Sequence, residues 1–210
     1  MLTNNDAQSR RAALKCVLAG LMAICLSGCG TTSFDSKAGD YKGSSPVTSL
    51  YIYSFLDLRE DRLGKKFLAE VQRQLPIALA KEGLNSKQFW FNASPLKAQF
   101  ALEATRTGPS TSGRVPVNEI VKANQQDEVE FGASHRLVAF PSFVVSSGSG
   151  SRFTVQWDLV DTRTNIMNWT TVSSSNFENW LLQDENSDER AKTFVMALIT
   201  ELKAAKAIKQ

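Results

Sequence analysis

The sequence predicts an α/β domain of the α+β type: a two-layer sandwich whose antiparallel-rich mixed sheet carries two long helices on one face. Three observations predict it. Residues 137–172 contain three strand-like runs joined by turns, a meander whose alternation leaves one face polar. Residues 62–81 and the stretch after Asn186 each carry a single apolar stripe at helical spacing. Residues 50–56 (LYIYSFL) are apolar or aromatic almost throughout and read as a largely buried strand. Stripes on helices and apolar faces on strands are buried together when the helices lie on the sheet.

Ahead of this domain stands residues 9–29, SRRAALKCVLAGLMAICLSGC. Arg10, Arg11 and Lys15 precede an eleven-residue apolar run, Cys16 to Leu26. At 1.5 Å per residue such a run is too short for a hydrocarbon core of about 30 Å, so it is an export signal and not an anchor helix. The closing Leu26-Ser27-Gly28-Cys29 resembles the lipobox of bacterial lipoproteins. That resemblance implies cleavage before Cys29, acylation of its thiol and amino group, and stable anchoring by several acyl chains. Ser9 to Lys15 is also similar to the twin-arginine export motif, with Ala13 where a large apolar residue is usual. Gly30 stands where inner-membrane lipoproteins carry aspartate, which implies an outer-membrane address with the domain facing the periplasm.

The organisation expected is a signal at 1–28, an acylated cysteine and flexible tether at 29–45, and a periplasmic domain at 46–210. Residues 30–45 are small, polar and without period; sixteen such residues reach roughly 20–24 Å. After the strand at 50–56, a charged turn at 57–61 leads into the first long helix. Leu63, Phe67, Leu68, Val71, Leu75 and Leu79 form its stripe, Pro76 is expected to kink it, and Gly83 stops it. Phe89-Trp90-Phe91 is a strand or a plug over the core. Residues 99–104 alternate as a strand, 105–116 are a loop, and 117–131 have loose helical spacing. Pro141 calls for an edge or a bulge in the strand at 137–145. The glycines of 146–152 suit a hairpin loop before the strand at 153–160, and 161–165 turn into the strand at 166–172. Asn186 and Glu189 have capping-box spacing for the last helix, whose stripe runs from Ala191 to Ala205.

Composition narrows the chemistry. Removing the first 28 of 210 residues leaves 182, enough for one domain with a sizeable core. Of the formal charge of +3, Arg10, Arg11, Lys15 and Asp6 supply +2, so the mature chain has no electrostatic case for nucleic acid or for an anionic membrane surface. All three cysteines lie at or before Cys29, so the domain has no thiolate nucleophile, disulfide or cysteine metal site. One histidine, His135, with no paired partner does not make a metal site, and no cofactor is expected. No G-x-S-x-G surrounds a serine, which leaves Ser134 or Ser142 with His135 and Asp158 as a weak triad; adjacent strand residues point to opposite faces. Asp57, Glu60 and Asp61 follow a strand end, and Asp184, Glu185, Asp188 and Glu189 precede the last helix, where the dipole accounts for them. Phe177 and Trp180 lie in a polar segment and are the candidate partner-binding aromatics, core filling being the alternative.

Residues 132–138 (GASHRLV), 157–161 (WDLVD), 166–170 and the terminal helix resemble bacterial lipoproteins with a TolB amino-terminal-like domain. That group includes lipoprotein activators of penicillin-binding proteins and relatives of the curli-secretion lipoprotein. The long loop at 105–116 and Thr162-Arg163-Thr164 depart from its pattern. The resemblance implies an adaptor of a cell-envelope complex, with envelope proteins as partners, a homo-oligomer compatible with that role, and no catalytic residues. The alternative is an envelope hydrolase acting on peptidoglycan or lipid through Asp57, Asp61 and His135.

Overall fold

A computed structural model describes residues 30–35, 39–100, 116–147, 150–178 and 186–209. Its strands form one mixed six-stranded sheet of order β1-β6-β5-β4-β2-β3. These are β1 (Thr31–Phe34), β2 (Ser49–Ser54), β3 (Asn85–Trp90), β4 (His135–Ser147), β5 (Gly150–Asp161) and β6 (Met167–Glu178). Its helices include α1 (Glu60–Leu63), α2 (Lys65–Lys81), α3 (Val117–Ala123), α4 (Gln125–Phe131) and α5 (Ser187–Ala204), with a 3-10 turn at Leu56–Arg59.

β2 is paired in parallel with β3 on one side and β4 on the other, which is why its sequence is apolar on both faces. Alternate residues serve two cores. Leu50 and Ile52 join Leu137, Val155, Trp157 and Leu159 against α2 and α5, the predicted two-layer sandwich. Tyr51 and Tyr53 pack on the opposite face with Phe89, Ile120 and Val121, so α3 and α4 cover that half of the sheet as well. Topology explains the extra cover. The chain steps from β2 outward to β3, then back across β2 to β4; right-handed crossovers in opposite directions place their helices on opposite faces.

Several elements differ from expectation. Gly64, at φ +87, separates α1 from α2, so the helix predicted from Arg62 begins at Lys65; it then continues through Pro76. Its end is as predicted: Gly83 is left-handed, and the Gly83 and Leu84 amides donate back to the Ala80 and Leu79 carbonyls. Residues 96–100 are helical, which corrects the strand expected from 99; residues 101–115 lie outside the described residues. The hairpin strands run on to Ser147 and Gly150, consuming most of the loop expected at 146–152. Register shifts between Pro141 and Phe143, the expected bulge, just past the end of the β2 pairing at Ala139. Asn186 precedes α5 but makes no side-chain cap bond, so the capping box does not form.

Candidate functional site at the leading segment

The lipid-attachment residue expected from the sequence, Cys29, lies outside the described residues, and its neighbour Gly30 begins them. From Gly30 onward the chain is not a free tether. β1 pairs antiparallel with the edge of β6, Thr31 opposite Asn176 and Phe34 opposite Ser173. Thr32 Oγ1 lies 2.9 Å from Ser175 Oγ, and Phe34 packs on the main core. Further on, the Tyr41 and Lys42 amides donate to the carbonyls of Ala205 and Asn168. The expected tether is therefore largely part of the fold. Its small polar residues suit this role, because the inner face of β6 carries buried Ser173 and Ser175, which allow close approach.

Gly30 is fitted to its place. It has φ +100, and a Cβ there would overlap the Phe177 ring and stand 2.8 Å from the Asn176 carbonyl oxygen. Phe177 itself is buried, stacked among Phe67 and Phe153 with the Arg190 guanidinium carbon 4.4 Å from its ring centre. This corrects the expectation that Phe177 faces a partner: β6 continues to Glu178, and the alternation of a strand turns Phe177 inward. Trp180 lies outside the described residues.

At the other end of the leading segment, Tyr41 closes over His135. The imidazole is fully buried, with Nε2 2.7 Å from Tyr41 Oη and Nδ1 3.1 Å from Ser134 Oγ. Tyr41 also donates to the Ser45 carbonyl oxygen at 2.7 Å. Burial lowers the His135 pKa, opposed by the nearby Asp161 carboxylate. Asp161 is held below the usual range by the Thr164 and Arg163 amides that it accepts from. Ser134 lies just before β4, so its hydroxyl does meet His135, unlike the opposed pair expected. That hydroxyl accepts from the Thr48 and Ser49 amides and donates to the Ser49 carbonyl, tying the start of β2 to β4.

The other sequence candidates do not converge on this point. Asp57 follows the far end of β2, beyond Ser54, whereas His135 pairs with Leu50 at its start; the strand from Leu50 to Ser54 alone spans about 13 Å. Asp57 is buried, accepts from the Asn92 amide, and has its pKa raised by that burial. Asp61 pairs with Arg62 and Glu60 with Lys65 at the surface. Ser142 bonds Thr154 at 2.8 Å, while Asp158 accepts from Thr170 and Gln156. Asp188 holds Arg73 and Gln74, joining α5 to α2. Of the tryptophans, Trp90, Trp157 and Trp169 are core residues, and Trp157 Nε1 donates to Ser173 Oγ.

A second polar cluster escaped sequence reading. Under α4, Glu128 and Arg136 form a buried ion pair at 2.9 Å, next to Tyr51, whose hydroxyl donates to Asp127 and accepts from Asn124. Burial, reinforced by Asp127, raises the Tyr51 pKa. Beside it, an open groove of about 670 Å³ runs between α3 and the β5–β6 turn, with Arg136, Lys122, Arg163 and Asp158 in its walls. Nothing in the spacing of 120–136 signals this pair, because its partners come from a helix and a strand joined by a turn.

No protein-family model and no curated protein matches the sequence. Among solved structures, a PelC dodecamer from Paraburkholderia phytofirmans is similar at 10% identity, over 79% of this chain and 95% of that one, with a TM-score of 0.37. Lipoprotein GNA1162 from Neisseria meningitidis is similar at 12% identity, over 76% of this chain and 97% of that one, with a TM-score of 0.38.

Proposed function

We propose that this chain is a non-enzymatic lipoprotein of the cell envelope, acylated at Cys29 and held at the outer membrane with its domain toward the periplasm. There it serves as an adaptor, assembly or regulatory component of a protein complex. The observation that carries the reading is the Leu26-Ser27-Gly28-Cys29 junction behind a short apolar run and three positive charges. Gly30 supports the outer-membrane address, and the strand and turn patterns around 132–138 and 157–161 support a TolB amino-terminal-like body. The separation of Asp57 from His135, and the enclosure of both, supports the non-catalytic half. Confinement to a thin layer raises the domain's effective concentration for neighbours there, which benefits a binder directly.

Two measurements test it. Mass spectrometry of the mature protein is expected to show an acylated N-terminal Cys29; a soluble product with that thiol unmodified refutes the anchor. Asp57→Asn, Asp61→Ala and His135→Gln are expected to retain function in cells wherever the thermal melt is preserved. A peptidoglycan- or lipid-hydrolysing activity lost in a folded His135→Gln variant refutes the adaptor reading in favour of the hydrolase.

A further inference from the structure

The anchor and the fold meet with no spacer between them. Gly30 lies flat on β6 with φ +100, against Phe177 and the Asn176 carbonyl, and Thr31 is already paired to Asn176. Two peptide units separate Thr31 from Cys29, a reach of at most about 7 Å. The register carries this across the sheet: Thr31 opposes Asn176, Asn176 opposes Arg152, and Arg152 opposes Val145. Two residues further along, β6 reaches Glu178, and the β4–β5 hairpin reaches Ser147 and Gly150. In this register Thr31 stands two residues from that end of the sheet.

We propose that the lipid bilayer is itself a docking surface for this domain: the β1–β6–β5–β4 end marked by Gly30, Asn176 and Arg152 stands on the membrane, with the strands rising away from it. The inference rests on acylation at Cys29. A chain clamped within two residues of its lipid cannot hold the domain 20 Å or more from the headgroups, as a free sixteen-residue tether would. Exposed Arg152 and Asn176 are suited to the headgroup region. The opposite end of the same strands, with the turn at 162–166, then lies about 30 Å from the membrane, nine residues of β5 separating Arg152 from Asp161. That turn, and the groove beside it, faces the periplasm.

The test uses the acylated full-length mature protein in phosphatidylethanolamine–phosphatidylglycerol vesicles containing a nickel-chelating lipid. Because Cys29 is the only cysteine after the signal and its thiol is acylated, an added cysteine gives a single labelling site. Nitroxides are placed at Asn176→Cys and, separately, at exposed Ile166→Cys. The nickel lipid is expected to relax the Asn176 label several-fold more than the Ile166 label. Gly30→Val, whose Cβ would overlap the Phe177 ring and crowd the Asn176 carbonyl, is expected to strip β1 from β6 and to bring the two labels close to equality while the protein still floats with the vesicles. Equal relaxation without that substitution, or a contrast that Gly30→Val leaves intact, overturns the docked orientation. Loss of flotation in the unsubstituted protein, with no acyl groups on Cys29, overturns the anchor reading and this inference with it.

Discussion

Tyr41 places its hydroxyl 2.7 Å from His135 Nε2, so a residue of the leading segment seals an imidazole that has no solvent exposure. The rings also meet edge to face, 5.8 Å between centres. Through this contact the leading segment becomes part of the domain's stability.

Removing that hydroxyl tests the coupling. Tyr41→Phe keeps the ring but leaves His135 Nε2 and the Ser45 carbonyl without their partner. The expected loss is roughly 1–3 kcal/mol, the usual cost of orphaning a buried polar group. Denaturant titration measures it, and hydrogen exchange should show faster exchange at the Tyr41 and Lys42 amides, which bond Ala205 and Asn168.

The same histidine sets a pH dependence. Burial holds its folded pKa below the ordinary 6.5, so the unfolded chain binds the proton more readily. Its contribution to stability is therefore complete above about pH 6.5 and is lost as pH falls toward the lower folded value. Melting temperatures are expected to decline over that interval, and His135→Gln should flatten the decline. Asp161 and Asp127, whose pKa values are lowered in the fold, act at more acid pH, below the ordinary 3.8.

Phe177 distinguishes a core residue from a docking residue. Buried between Phe67, Phe153 and Arg190, its truncation to alanine should cost about 3–5 kcal/mol. A thermal melt unchanged in Phe177→Ala would contradict the inward-facing end of β6.

The Glu128–Arg136 pair behaves as a buried ion pair should. Glu128→Ala strands the guanidinium beneath α4 and is expected to cost about 3–5 kcal/mol in a denaturant titration. Replacing both partners, Glu128→Leu with Arg136→Met, is expected to recover most of that loss.

Leu198 lies in the α5 stripe and is 1% exposed. Leu198→Ala should destabilise by about 2–5 kcal/mol, read from the shift in denaturation midpoint at unchanged slope.

What the sequence determined by itself was whatever has a short period. The stripe Phe67, Leu68, Val71, Leu75, Leu79 and the run from Ala191 to Ala205 needed only 3.6-residue spacing to be read as helices facing one sheet. Phe153, Val155, Trp157 and Leu159 needed only alternation, and Gly83 only its permitted φ. The expectation of an export signal rested on charge, apolar length and small residues that follow one another directly along the chain. Tertiary structure decided what depends on distant partners. Residues 31–34 look like linker because β1 draws its stability from β6, about 140 positions away, and its own side chains are too small and polar to announce a strand. Phe177 looked exposed because its neighbours are polar; the extension of β6 turned it inward. The cover that α3 and α4 give to Tyr51 and Tyr53 follows from crossover handedness, a property of strand order. Local pattern fixes which residues seek burial. Only the assembled sheet fixes against what, and so turned an expected tether into an edge strand.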